Sequence, residues 1–283
     1  DWLPQPNCKH HYERISMSND LLFEKNGHIV TLTMNRPEER NPLGMNGDGD
    51  NFADACARIN DDNDVRCVIL TGAGKAFSAG GNLKAMRDRT GSFGASPLEM
   101  RENAYRKNIH RIVRSLWNIE VPTIGAINGA SIGLGNDVGC TCDIRIAADS
   151  AKFGATFLKM GLIPGDGGSW ILPRVIGWSN AARLFFTGDV VDAETAHSWG
   201  LVSEIVPAES LMEEANKLAA RICQQPPQAL RMTKRLMRDG MNSSFDTIME
   251  MSASMQVIVQ NTDDHLEAVN AFFDKRTPEF KGK

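Results

Sequence analysis

The chain has 283 residues, 42% hydrophobic and 23% charged, enough to bury one large core or a core with an appendage. A net charge of −4 leaves no electrostatic footprint for nucleic acid, and no apolar run approaches the roughly 20 residues that span a bilayer. Six cysteines, at 8, 56, 67, 140, 142 and 223, lack a second ligand pair at zinc-like spacing and read as core thiols of a reducing, cytoplasmic compartment.

Residues 1–16, "DWLPQPNCKHHYERIS", have neither the apolar stretch of a signal peptide nor the Arg/Ser-rich character of a transit peptide, and read as an N-terminal extension or leader. "KHHY" inside it is too short to be a metal site, and the other histidines are dispersed, so no metal is expected. "HIVTLTMN", 28–35, alternates as a half-buried strand does; "RPEERNPLG" is a turn, and "FADACARIND" has helical periodicity. "VRCVILTGAG", 65–74, "PTIGAINGA", 122–130, and "DIRIAA", 143–148, read as strands, the first a β-branched run fit for burial on both faces. With helices between them the order is βαβα, an α/β core over 17–208. "NAARLFFTG" and "DAETAHSWGLVSEIV" add a helix, a turn at Gly200 and a short strand. From "AESLMEEANKLAARICQQ" onward, 209–283, the chain reads as almost wholly helical.

Two strand ends carry glycine loops, "GKAFSAGGNL" at 74–83 and "NGASIGLGND" at 128–137. Glycine allows close approach and positive φ. Where such a loop opens a helix, unpaired N–H groups point outward, and two loops facing one point would stabilise a developing oxyanion. The plainer reading is that these glycines only shape tight turns. The dinucleotide and P-loop fingerprints are both missing.

"AFSAGGNLKAM", then "VPTIGAINGASIGLGNDVGCTCDIRIAADSAKFGATFLKMGLIPGDGGSWILPRVIG", then "TGDVVDAETAHSWGLVSEIVP" resemble the crotonase (enoyl-CoA hydratase/isomerase) superfamily from about residue 20 onward. The resemblance implies a repeated ββα spiral core, a C-terminal helical oligomerisation section, and a homotrimer or dimer of trimers. It also implies an acyl-CoA substrate, with no cofactor beyond the coenzyme A it carries. Matched residue by residue, the backbone N–H groups of Gly81 and Leu134 would polarise the thioester carbonyl. A donor of that kind is worth about 10²–10³ in rate. Ala79, Lys84 and the "RPEERN" turn match positions that contact the coenzyme, and Phe272 and Lys275 match C-terminal positions that reach it. A solvated helix face explains Lys275 equally well, and a core aromatic explains Phe272.

Hydratases of that family place two glutamates across the enoyl group. Here the first position is Asp137 and the second is Phe157, which can carry no proton, so the two-glutamate hydration cannot run unchanged. Asp166, in "PGDGGSW", is the compensating candidate. Some family members, among them a hydrolase of cyclic β-diketones, have an aspartate there beside a histidine that matches Phe157. The expectation is that Asp137 and Asp166 form the acid pair, while Phe157 walls the pocket and favours a bulky or aromatic acyl chain. Against this, Asp166 is well placed as a helix N-cap, which would lower its pKa and spoil it as an acid. Asp143 and Asp149 read as strand-end or turn acids. Trp170, Trp199, Phe185 and Phe186 read as core, and Met232, Met237, Met249, Met251 and Met255 suit either oligomer packing or an acyl tunnel.

Three functions compete. The first is a hydratase or isomerase acting through a thioester enolate. The second is a hydrolase of a CoA thioester or of a β-diketone C–C bond using Asp166. The third is a CoA-binding protein that has lost catalysis.

Overall fold

The computed structural model describes residues 13–14 and 19–283. Cys8 and the "KHHY" stretch lie outside them.

The chain opens with the strands Glu13–Arg14 (β1), Leu21–Asn26 (β2) and Ile29–Met34 (β3), then Pro42–Leu43 (β4) and the helix Asp48–Asp61 (α1). Next come Cys67–Gly72 (β5), Ala76–Ser78 (β6) and Gly80–Gly81 (β7). Helices Leu83–Asp88 (α2) and Pro97–Met100 (α3), a π-helix over Arg101–Ile109, and His110–Trp117 (α4) follow. Thr123–Ile127 (β8) and Ala130–Ile132 (β9) lead into Leu134–Thr141 (α5). Ile144–Ala148 (β10) and Lys152–Gly154 (β11) lead into Gly168–Thr187 (α6). Val190–Asp192 (β12), Ala193–Ser198 (α7) and Glu204–Val206 (β13) close the α/β part.

The strand order explains the repeat. One sheet runs β1-β2-β3-β5-β8-β10-β13, parallel from β3 onward, and a second runs β12-β11-β9-β6. Thus β5, β8 and β10 each enter the large sheet, and the short strand after each, β6, β9 and β11, enters the small one before the chain turns into helix. This is a spiral of ββα turns. The glycine loops, which in sequence look like simple strand-to-helix turns, therefore contain a second strand too short to show a period of two.

Every residue of β5 and β8 is buried, as continuous β-branched runs predict. One face of the large sheet packs on α1, α4, α5 and α6 through residues such as Phe77, Ile112, Val138 and Leu172. The other face packs Ile69, Ile124 and Ile146 against Leu211, Ala215 and Ala219 of the helix Leu211–Cys223 (α8). Cys56, Cys67, Cys140 and Cys142 are buried free thiols, as the sequence suggests.

The helices Pro227–Gly240 (α9), Phe245–Gln260 (α10) and Asp263–Asp274 (α11) complete the described chain. Asp143, just before β10, ties α9 down through Lys234 (2.7 Å) and Arg238 (2.9 Å). Phe245, Val257, Leu266, Phe272 and Phe273 of α10 and α11 are exposed. One core assignment fails here: Phe186 is 74% exposed, whereas Phe185 is buried and Trp170 and Trp199 pack partly buried on the core. Phe185 and Phe186 are consecutive in the second half of α6, and neighbouring residues of a helix point about 100° apart, so only one of them can face the core. Among the described residues no helix is long and apolar enough to cross a membrane.

Candidate active site

The two glycine loops meet. Gly80 has φ 93°, and a β-carbon added there would lie 2.5 Å from the Ile132 carbonyl oxygen and 3.5 Å from the Leu134 nitrogen. Gly135 is pressed the same way, its would-be β-carbon 2.5 Å from the Ser78 oxygen. Only glycine at these points lets the backbones of β7 and the start of α5 touch. Leu134 is the first residue of α5, so its N–H has no acceptor within the helix. Gly81 ends β7 beside it. Asn41 braces the first loop from behind, its amide donating to the carbonyls of Ala73 (2.9 Å) and Ala76 (2.8 Å). Ser78 Oγ donates to the Asn41 carbonyl (2.7 Å) and accepts from Gly80 N–H (3.1 Å).

Asp137 lies in the first turn of α5 and is fully buried. Neither carboxyl oxygen has a hydrogen-bond partner. Its oxygens face Gly168, the first residue of α6, where an added β-carbon would lie 2.2 Å from both. Burial pushes the carboxyl well above its ordinary range, and the negative charge of Asp166 adds to the shift; the Gly168 N–H opposes it without being aligned as a formed hydrogen bond. Burial wins, and Asp137 holds its proton more tightly than an exposed carboxyl would.

Asp166 is not the helix cap that its sequence position suggests. Gly167, at φ 104°, takes the cap position of α6, and no side chain caps the helix. Asp166 lies one residue further out, 8% exposed, and burial raises its carboxyl to about 6. The N-cap reading would have lowered it. Both aspartates thus hold a proton more tightly than an exposed carboxyl does, Asp137 through complete burial, while Asp166, raised to about 6, is mostly ionised at neutral pH.

The sequence gives little sign of Tyr105, on the π-helix, a rare geometry found often at functional sites. Burial and the charge of Asp166 both raise its phenol. Its neighbour His110 shares a hydrogen bond with the Gly165 carbonyl (2.8 Å), fixing the turn that carries Asp166. The only hint is a lone aromatic in the polar run "MRENAYRKN". Gly168 had a clearer signal, as the second glycine of "DGGSW".

A cavity of about 860 Å³ opens beside these groups, lined in part by Met86, Phe93, Tyr105, Met160 and Leu162. The Met86 methyl would be 3.1 Å from a β-carbon on Gly81, so Met86 links the cavity wall to the first glycine loop, while Gly81, Leu134, Asp137 and Asp166 are not themselves part of the lining. Lys84, exposed on α2, is at its rim. Phe157 is buried in the 3-10 turn Thr156–Met160, its ring 3.8 Å from a would-be β-carbon on Gly133. Ala79 is exposed at the loop tip, its N–H donating to the Arg40 carbonyl (2.9 Å). Arg36 of the "RPEERN" turn is engaged by Asp48 (2.7 Å) and Asp20 (2.9 Å). Phe272 and Lys275, at the end of α11, do not line this cavity; Phe272 is 79% exposed and stacks edge-on with Phe273. Asp143 is a structural ion-pair partner, Lys234 and Arg238 outweighing its burial, and Asp149 is exposed.

The profile of the enoyl-CoA hydratase/isomerase family matches residues 24–283. The 1,2-epoxyphenylacetyl-CoA isomerase of Escherichia coli is 36% identical over 256 residues, covering 90% of this chain and 95% of the relative. The crotonyl-CoA hydratase of Syntrophomonas wolfei is 34% identical over 266 residues, covering 93% and 98%. Among solved structures, an enoyl-CoA hydratase from Bacillus anthracis superimposes with a TM-score of 0.86 at 33% identity, over 93% of this chain and all of its own. The chain belongs to the enoyl-CoA hydratase/isomerase family and is an acyl-CoA enzyme of that type.

Proposed function

We propose that the reaction runs through a thioester enolate held by the N–H groups of Gly81 and Leu134, with Asp137 and Asp166 handling protons. Asp166 takes a proton from carbon or from water, and Asp137 delivers one to the other reacting atom. The single observation that carries this reading is the pair of buried carboxyls, both shifted upward, beside two contacting glycine loops. A proton shift along the acyl chain and addition of water both fit such a pair. Phe157 removes the second-glutamate form of hydration. Relatives named for a CoA isomerase and for a CoA hydratase support both variants.

CoA thioesters themselves supply the coenzyme, and no other cofactor enters this chemistry. Ala79 and Lys84 lie where a coenzyme arm would leave the site, and Phe157 backs the acyl side. Phe272 and Lys275, remote from the cavity in their own chain, suit contact with a neighbouring subunit's ligand. The exposed apolar residues of α10 and α11 support a homotrimer, in which residues 209–283 would act as the assembly section of a 17–208 core.

The test compares Asp137→Asn and Asp166→Asn with the parent on enoyl-CoA esters, following both the enoyl thioester absorbance and free thiol. Loss of turnover by 10²-fold or more in each variant is expected. Intact turnover in both would sink the acid pair, and free thiol without change in the enoyl chromophore would replace this reading by thioester hydrolysis.

A further inference from the structure

We infer that the acyl group this site accepts carries an aromatic ring, seated in the 860 Å³ cavity between α2 and the 101–109 π-helix. The inference rests on the acyl-CoA reading above and names the substrate class within it. The cavity wall carries two rings, Phe93 and Tyr105, three thioethers, Met86, Met100 and Met160, and two leucines, with Lys84, Arg87 and Arg89 among its other lining residues. No Val, Ile or Thr is part of this lining among the described residues. Aromatic rings take edge-to-face partners, and methionine sulfurs and methyls settle on ring faces and edges with little conformational demand. A wall of this composition suits a flat, polarisable group better than a short linear chain.

Size permits it. A cavity of about 150 Å³ holds a benzene ring, so the larger space here admits a ring together with the chain that bears it. Met160 and Leu83 on the rim are each 52% exposed, apolar surface that a ring would cover. Position points there too. Met86 touches the donor loop at Gly81, and Tyr105 packs beside Gly165, next to Asp166. A ring between Met86 and Tyr105 therefore lies between the first glycine loop and the turn that carries Asp166.

Isothermal titration of the whole protein with phenylacetyl-CoA and butyryl-CoA tests this without depending on which reaction is catalysed. The expected result is at least a tenfold tighter dissociation constant for phenylacetyl-CoA, collapsing toward equality in Met160→Trp, whose bulkier indole would intrude on the wall where the ring is seated. Equal affinities in the parent would overturn the aromatic assignment and leave the acyl-CoA site standing. A preference that survives Met160→Trp would overturn the location. Failure of both esters to bind would overturn the acyl-CoA reading beneath it.

Discussion

Gly168 and Asp137 are in van der Waals contact across the junction of α6 and α5, so tightly that a methyl at 168 would lie 2.2 Å from both carboxyl oxygens. That contact hides Asp137 from water and leaves its oxygens without partners, which is why the carboxyl is shifted well above its ordinary range. Gly168→Ala must therefore push one helix away. Overpacking of this kind costs about 1–3 kcal/mol. The double variant Gly168→Ala/Asp137→Ala should regain most of that stability and none of the activity. Urea melts and turnover on the same preparations check it; a Gly168→Ala protein as stable and active as the parent would show the contact to be loose.

The contribution of Asp166 to stability should fall as pH rises through the acid range. Burial raises Asp166 to about 6, against roughly 3.9 in an unfolded chain. The folded state therefore holds this proton more tightly between those values. Its stabilising effect is complete below about pH 4 and is lost by about pH 6, a change of up to about 3 kcal/mol. Asp137, also raised, acts in the same direction. Asp166→Asn should flatten this slope in melts taken from about pH 4 to 7. Parallel curves for parent and variant would mean that Asp166 is not held as described.

The rate should run opposite to the stability. Asp166 serves as base only when ionised, so kcat/KM is expected to rise with pH through about 6 and then level off. Deprotonation of Asp137 at higher pH should bring a second, falling limb. A pH profile that is flat between about 5 and 7 would remove Asp166 from the proton-transfer step.

The proposed oxyanion donor at residue 134 can be deleted without breaking its helix. Leu134 is the first residue of α5, the one position where proline is tolerated because the N–H there bonds to nothing within the helix. Leu134→Pro should reduce kcat by about 10²–10³. Leu134→Ala, which keeps the N–H and loses only packing, should lose stability with a much smaller change in kcat. Equal rates for the two variants would show that the amide does not touch the reacting oxygen.

Trp178 and Phe186, 78% and 74% exposed on the second half of α6, are large apolar groups that an isolated chain would leave in water. Replacing both with glutamate should lower the sedimenting mass relative to the parent. An unchanged mass would place the contact between subunits elsewhere, with α10 and α11 the next surface to alter.

The amino-acid sequence alone determined the α/β class, the burial of Cys67–Gly72 and Thr123–Ile127, the helical C-terminal section and the family. These follow from local periodicity and from ordered motifs, which a linear chain displays directly. It also marked Asp137 and Asp166, since both fall in glycine-rich motifs. What it could not decide was their state. Asp166 looked like a cap because capping is read from one or two neighbouring residues, yet Gly167 took that place and left the carboxyl buried and raised. The approach of Gly168 to Asp137, 31 residues away, and of the Ile132–Leu134 backbone to Gly80 are contacts between different turns of the spiral. Tyr105 reached the same cavity by a π-helical turn that shifts its register relative to an α-helix. Proton affinity depends on what surrounds a group in space, and that environment exists only once the helices and both sheets have packed.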